Sequence, residues 1–254
     1  ALVSISPKDG RILALVGGYD FKKSQVNRVL TPRPPGSNFK PFVYGAAIEE
    51  GYTAATLIND APITRGDYRP NNYENNFLGP MTLRYALKES RNVPTVRLYD
   101  QLGSEKSLSF AAKLGIPTDD FPRNDLTIAL GSRDVAPLNI VTGYASIANG
   151  GFKVDPWFIK EIRNLRGEPL YSADPKQVCA NCSDEDIPTK APRVLDPRVA
   201  FILGSMLRSV IEEGSGVRVN RELNRTDLKG KTGTTNGPQE LWFSGFNENI
   251  ATTV

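Results

Sequence analysis

Histidine is missing from all 254 residues. That excludes every mechanism built on an imidazole base or ligand, including the Ser-His-Asp triad, the Cys-His pair and the usual zinc sites. Cysteine occurs only as Cys179 and Cys182, in "VCANC". Two thiols without histidine fall short of the four ligands of a structural zinc site. A thioredoxin-like redox centre would want a βαβ context, whereas "YSADPKQVCANCSDEDIPTKAP" reads as loop. The pair is therefore read as structural or incidental, a small disulfide loop in an oxidising compartment being one form of it. No apolar run approaches the length of a membrane span, and no signal peptide opens the chain. A net charge of +3, with no basic stripe interleaved with aromatics, gives no argument for nucleic acid.

What is present is an ordinary globular composition, 39% hydrophobic and 23% charged, long enough to bury a core as one large domain or two small lobes. "ALVSISPKDGRILALVGG" alternates apolar and polar residues across Lys8-Asp9-Gly10 and predicts an antiparallel hairpin. Residues 20–36 form a polar, proline-rich connection. A helix is expected from about Ser37 to Glu50, with Phe42, Val43, Ala46 and Ala47 on its buried face and Gly51 past its end. "YRPNNYENNF" (68–77) is a polar loop with aromatics; it can wall a groove, but a plain surface loop fits its composition better. "MTLRYALKES" reads as a short helix that stops at "SRNVP". "APLNIVTGYASIANGG" and "LDPRVAFILGSMLRSVIEEG" read as longer helices, the second capped by Asp196 with Pro197 at its first position, Gly214 at its end and a core stripe of Val199, Leu203, Met206 and Val210. "LKGKTGTTN" and "LWFSGFNENIATTV" then read as strands joined by "NGPQE". If the terminal strands share one sheet, the helical middle is a second lobe and a cleft lies between the two.

The chemistry is concentrated in three short motifs. In "RPPGSNFKPFVYGAAIEEG", Ser37 and Lys40 stand at i and i+3, on one face of a helix start where free N–H groups favour developing negative charge. A serine hydroxyl needs a base to become a nucleophile. Without histidine that base can be lysine, provided burial and a second cation lower its pKa. Alone, S-x-x-K also fits a capped surface helix. It is not alone: S-x-N occurs once (Ser90, Arg91, Asn92) and K-T-G once (Lys231, Thr232, Gly233), after it and in that order. Lys231 supplies the second cation and attracts an anionic substrate end. Ser90 can relay a proton to a leaving group and Asn92 can hold an amide. Gly233 lets substrate backbone lie close along the strand, and Thr232 and Thr234, with Thr235 beside them, offer hydroxyls to a terminal carboxylate. The backbone N–H groups of Ser37 and Thr234 are candidates for an oxyanion hole.

These motifs, in this order, resemble the penicillin-binding proteins and serine β-lactamases. The longer stretches "RPPGSNFKPFVYGAAIEEGYTAATLINDAPI", "ALGSRDVAPLNIVTGYASIANGGFKVDPWFI" and "KGKTGTTNGPQELWFSGF" look like the transpeptidase domain of the class A, bifunctional penicillin-binding proteins of the 1a type. The resemblance covers nearly the whole chain, least clearly the cysteine loop and residues 183–229. It implies an α+β fold of the β-lactamase/transpeptidase kind: an antiparallel sheet flanked by helices, an all-helical lobe, and an active site between them. It implies acylation of Ser37 by the D-alanyl-D-alanine end of a peptidoglycan stem peptide, transfer of the acyl group to an amine on a neighbouring stem, and covalent inhibition by β-lactams. The motif roles carry over to Ser37 and Lys40, to Ser90 and Asn92, and to Lys231, Thr232, Gly233 and Thr234, with no metal and no cofactor.

Residues 1–254 are accordingly expected to be one transpeptidase domain from a longer chain, with a membrane anchor and a glycosyltransferase domain before it and a final strand and helix after it. The substrate implies the periplasmic face of the bacterial cytoplasmic membrane, with membrane contact only through that anchor. Of the rivals, a class A β-lactamase needs the water-activating E-x-x-L-N, which is absent; "EIRNL" at 161–165 has the wrong order. A D,D-carboxypeptidase and a penicillin-sensing domain share the motifs and are set aside on the flanking stretches.

Overall fold

The computed structural model describes residues 1–180, 182, 189–235 and 240–254. In chain order the elements are β1 (Leu2–Ile5), β2 (Ile12–Val16), α1 (Lys40–Glu49), β3 (Leu57–Asp60), β4 (Gly79–Thr82), α2 (Leu83–Lys88), α3 (Asn92–Leu102), α4 (Ser104–Lys113), α5 (Pro137–Ala148), β5 (Glu161–Arg163), β6 (Pro169–Ser172), α6 (Pro197–Glu213), α7 (Val217–Leu223), β7 (Lys229–Thr234), β8 (Leu241–Phe246) and β9 (Ala251–Thr253). Short 3-10 turns at Gly36–Phe39 and Leu126–Leu130 precede α1 and follow α4.

The terminal strands do share a sheet. Its order is β2-β1-β9-β8-β7, antiparallel throughout, with Val3 opposite Thr253 where the two ends of the chain meet. The architecture is α+β, with α5 laid on β1, β8 and β9 and a helical group of α1 to α4 beyond. An edge-to-face aromatic chain, Phe42 to Tyr144 at 6.0 Å and Tyr144 to Phe246 at 6.1 Å, ties α1 through α5 to the sheet. Such pairs add about 0.5–1.5 kcal/mol each beyond burial. The long α6 begins as its sequence requires: the Asp196 carboxylate accepts the Arg198 N–H at 2.8 Å, and Val199, Leu203, Met206 and Val210 are buried.

Two readings are corrected. The α-helix begins at Lys40, not Ser37, and Ser37 caps nothing. Pro41 lacks the N–H that would bond the Ser37 carbonyl in α fashion, so the Lys40 N–H takes that carbonyl and the first turn tightens to 3-10. Nor is α1 buried on one face only: Lys40 through Ile48 are all buried, because α3, α4 and α6 pack around it. The second correction concerns residues 68–77. They are not a plain surface loop; Tyr73 and Glu74 wall the main cavity, and Asn72 is buried.

Cys179 and Cys182 are joined in a disulfide with 5.7 Å between their Cα atoms. Of the loops read from sequence, 183–188 and the "NGPQ" of 236–239 lie outside the described residues.

Candidate active site

The cleft between the edge strand β7 and the helical lobe holds a cavity of about 510 Å³. Ser37, Ser90, Asn92, Thr232, Thr234 and Thr235 line it. The two lysines stand behind this wall, both fully buried. All three motifs therefore meet at one place, brought there by α1, by the turn between α2 and α3, and by β7.

Ser37 is half-buried, and its hydroxyl has no hydrogen-bond partner among the described residues. Lys40, one turn on, reaches the second motif. Its Nζ donates to the Ser90 carbonyl at 2.6 Å, the Asn92 Oδ1 at 2.8 Å, the Arg91 carbonyl at 3.2 Å and the Ser90 hydroxyl at 3.3 Å. Lys231 approaches Ser90 from the other side, donating to its hydroxyl at 2.8 Å and to the Thr232 carbonyl at 3.1 Å. The Ser90 hydroxyl thus lies between the two lysine nitrogens.

Burial drives the Lys40 pKa well below the ordinary lysine range, with the positive charges of Lys231 and Arg91 adding to it and Glu74 opposing. Its oxygen neighbours favour the ammonium, but full desolvation beside two cations outweighs them. As a neutral amine, Lys40 keeps two N–H groups, which the two shortest contacts satisfy, and one lone pair able to take a proton. Burial lowers Lys231 to about 7.

The Ser90 turn departs from local rules. Ser90 N–H bonds the Leu87 carbonyl at 3.1 Å and Arg91 N–H the Ala86 carbonyl at 2.9 Å, closing α2 with a Schellman motif. The left-handed position of that motif usually carries glycine; here it is Ser90, with φ 56°. A strained residue of this kind costs about 1–3 kcal/mol and persists only where its surroundings hold it.

What holds it was invisible in the motifs. The Arg91 guanidinium reaches Asp60 on β3, with Nη2 at 2.7 Å and Nε at 3.0 Å from one carboxylate oxygen. Its Nη1 meets Glu74 at 2.8 Å. Asn72 donates to the other Asp60 oxygen at 2.7 Å and accepts the N–H groups of Asn92 and Val93, at 3.0 and 3.1 Å, capping α3. The only sequence signal for this network is the density of asparagine in 71–76, a composition that exposed loops share.

Glycines set the serine turn against its neighbours. Gly36 has φ 53°, and a Cβ there would lie 2.6 Å from the Thr234 carbonyl oxygen. A Cβ on Gly131 would lie 2.1 Å from the Gly36 carbonyl oxygen. Gly233 is required by the protein's own packing as well: a Cβ would meet Asn38 and Pro35 at 2.6 Å. Close backbone approach here brings the chain around Ser37 against that of Thr234, the two residues whose N–H groups were read as an oxyanion hole. Thr232 shares its hydroxyl with Ser215 at 3.1 Å; Ser215 also lines the cavity and belongs to none of the motifs.

Residues 1–251 match the family described as the penicillin binding protein transpeptidase domain. Penicillin-binding protein 1A of Pseudomonas aeruginosa is 41% identical over the whole of this chain, and that of Escherichia coli 34%. The chain spans 36% and 37% of those relatives, so about a third of their length. A crystal structure of penicillin-binding protein 1A from Haemophilus influenzae superposes with a TM-score of 0.91 at 31% identity, covering 99% of this chain and 42% of that one. With its motifs gathered in one cleft and this likeness running end to end, the chain belongs to the penicillin-binding protein transpeptidase family.

Proposed function

We propose that residues 1–254 are the cross-linking domain of a peptidoglycan synthase, a serine D,D-transpeptidase that works through an acyl-enzyme on Ser37. The observation that carries this reading is the placement of the Ser90 hydroxyl between Lys40 and Lys231, in the cavity that Ser37 also lines, where the Ser37 hydroxyl has no hydrogen-bond partner among the described residues. Neutral Lys40 takes the Ser37 proton as Oγ attacks the carbonyl of the penultimate D-alanine. The backbone N–H groups of Ser37 and Thr234 receive the oxyanion, a donor of that kind being worth about 10²–10³-fold in rate. Breakdown expels the terminal D-alanine, whose amine takes a proton through Ser90 from the lysines; general acid-base help of this sort contributes about 10²–10⁴-fold. An amine of a second stem peptide then attacks the ester, leaving a cross-linked peptide and free Ser37. Charged Lys231 with the hydroxyls of Thr232, Thr234 and Thr235 holds the substrate carboxylate, and Asn92 holds its amide.

β-Lactams enter the same route as carbonyl electrophiles whose ester on Ser37 is not released. The relatives are about three times as long as this chain, which supports a parent protein with a glycosyltransferase domain and a membrane anchor outside it. Among the described residues no helix is long and apolar enough to cross a membrane. Stem peptides lie outside the cytoplasmic membrane, and a disulfide suits the oxidising periplasm.

Intact-mass spectrometry after adding a penicillin, with peptide mapping and a time course, tests the reading. The expected result is one adduct on Ser37 that lasts hours and is absent in Ser37→Ala. An adduct lost within seconds, with the drug hydrolysed, would make this a β-lactamase. No adduct on folded protein would refute the nucleophile.

A further inference from the structure

Ser90, Arg91 and Asn92 all line the cavity, and the guanidinium of the middle residue ends on a carboxylate that is buried. Asp60 is wholly inaccessible to solvent and receives four hydrogen bonds: two from the Arg91 guanidinium, one from the Asn72 amide at 2.7 Å and one from the Leu78 N–H at 3.2 Å. A buried carboxylate paired this closely with a buried guanidinium has one stable geometry, because misplacing either partner leaves an uncompensated charge out of water. Asn72 connects that pair to the start of α3 through the Asn92 and Val93 N–H groups. Immediately before these anchor points stands the strained Ser90 turn, and the carbonyls of Ser90 and Arg91 are bonded to Lys40. The Thr95 hydroxyl also donates to the Arg91 carbonyl, at 2.7 Å, so that carbonyl has no freedom to turn.

Resting on the reading above, we propose that Asp60, acting through Arg91 and Asn72, is a positioning residue for acyl transfer: it holds Ser90 in its left-handed conformation and so fixes the acceptors that orient the Lys40 amine. Asp60 touches no reacting atom and belongs to none of the three motifs. It stands on β3, outside the cavity lining, and ties the second motif to the 68–78 segment through Arg91, Asn72 and Leu78. The charged groups that face Lys40 are Lys231 from β7, Arg91 from the turn between α2 and α3, and Glu74 from the 68–77 loop. Replacing Asp60 by a neutral residue leaves Arg91 less compensated, so the positive field on Lys40 grows and its proton is lost more readily.

The test is the rate of Ser37 acylation by a fluorescent penicillin as a function of pH, alongside the thermal midpoint, in the wild type, Asp60→Asn and Asn72→Ala. Leu108→Ala, a cavity variant in α4 remote from the cleft, controls for lost stability. The expected result is a fall in acylation of about 10- to 100-fold in both variants, as small misplacements of a catalytic group produce. It should exceed that in the control at equal thermal shift, with the acid limb of Asp60→Asn moved to lower pH. Asn72→Ala keeps both charges and should slow acylation without moving the limb. If Asp60→Asn does not fold, Asn72→Ala alone decides. Normal rates, or a loss that only follows stability with an unmoved profile in Asp60→Asn, would overturn the proposal while leaving the nucleophile assignment intact. A wild type that forms no adduct on Ser37 would overturn both.

Discussion

Lys231 Nζ donates to the Ser90 hydroxyl at 2.8 Å, and that hydroxyl lies 3.3 Å from Lys40 Nζ, so two buried lysines share one serine. Two ammonium groups so close in a desolvated site repel, and the proton is lost from one of them well below the ordinary lysine range. Acylation should therefore rise with pH along an acid limb set by Lys40. Lys231→Met removes one of the neighbouring positive charges, so the Lys40 pKa climbs and the limb moves to higher pH. Lys231→Arg keeps the charge and should leave the limb where it is. Second-order acylation constants measured from pH 5 to 10 decide; an unmoved limb in Lys231→Met would mean that burial and Arg91 tune Lys40 without the charge of Lys231.

Ser90 has two properties that separate by substitution: a hydroxyl in the cavity and a backbone at φ 56°. Ser90→Ala removes the first and keeps the strain. Ser90→Gly removes both, and should be more stable than Ser90→Ala by about 1 kcal/mol in denaturant unfolding. Both should acylate more slowly by about 10²–10⁴-fold, the range for a lost proton relay. Equal stabilities would show that the turn is not strained.

These two tests mark the boundary of what the sequence made legible. Ser37, Lys40, Ser90, Asn92 and Lys231 were readable because their chemistry depends on residue type and short spacing. The hairpin at Lys8-Asp9-Gly10 and the capped α6 were readable because turns and caps are local. Asp60 and Asn72 were not readable: they act on a turn about 30 and 20 positions away, and an asparagine-rich loop has the same composition whether it lies in water or seals a guanidinium. The helix start lies three residues later than expected because Pro41 lacks the N–H that would close an α turn on the Ser37 carbonyl.

The Gly131–Gly36 contact gives a steric test. Gly131 has φ 73°, and a Cβ on it would stand 2.1 Å from the Gly36 carbonyl oxygen, one residue before Ser37. Gly131→Ala must push the serine turn away from Thr234. Unfolding should show a loss of about 1–3 kcal/mol from the backbone alone, and acylation should fall about 10²-fold, the cost of a misplacement near 1 Å. Gly167→Ala is the matched control, with φ 81° and nothing within 4 Å of the added atom. It carries the backbone cost without the collision and should acylate normally. Comparable acylation in the two variants would rule out a role for the contact in placing Ser37.

The buried lysines should also leave a signature in stability. Lys231 titrates at about 7 in the folded protein and near 10.4 when unfolded. Between those values the unfolded chain holds a proton that the folded one has lost, so stability rises with pH across the window, by up to about 1.4 kcal/mol per pH unit. Below about 7 both states are protonated, and the contribution is flat at its least favourable level. Lys40, lowered in the same direction, adds to the slope. Tyr44 and Tyr144, which burial pushes upward, work oppositely only above about pH 10, where their unfolded counterparts ionise. Urea unfolding from pH 7 to 9.5 should therefore show the wild type gaining stability as pH rises, and Lys231→Met gaining distinctly less. Parallel curves for the two proteins would mean that Lys231 keeps its proton throughout this range.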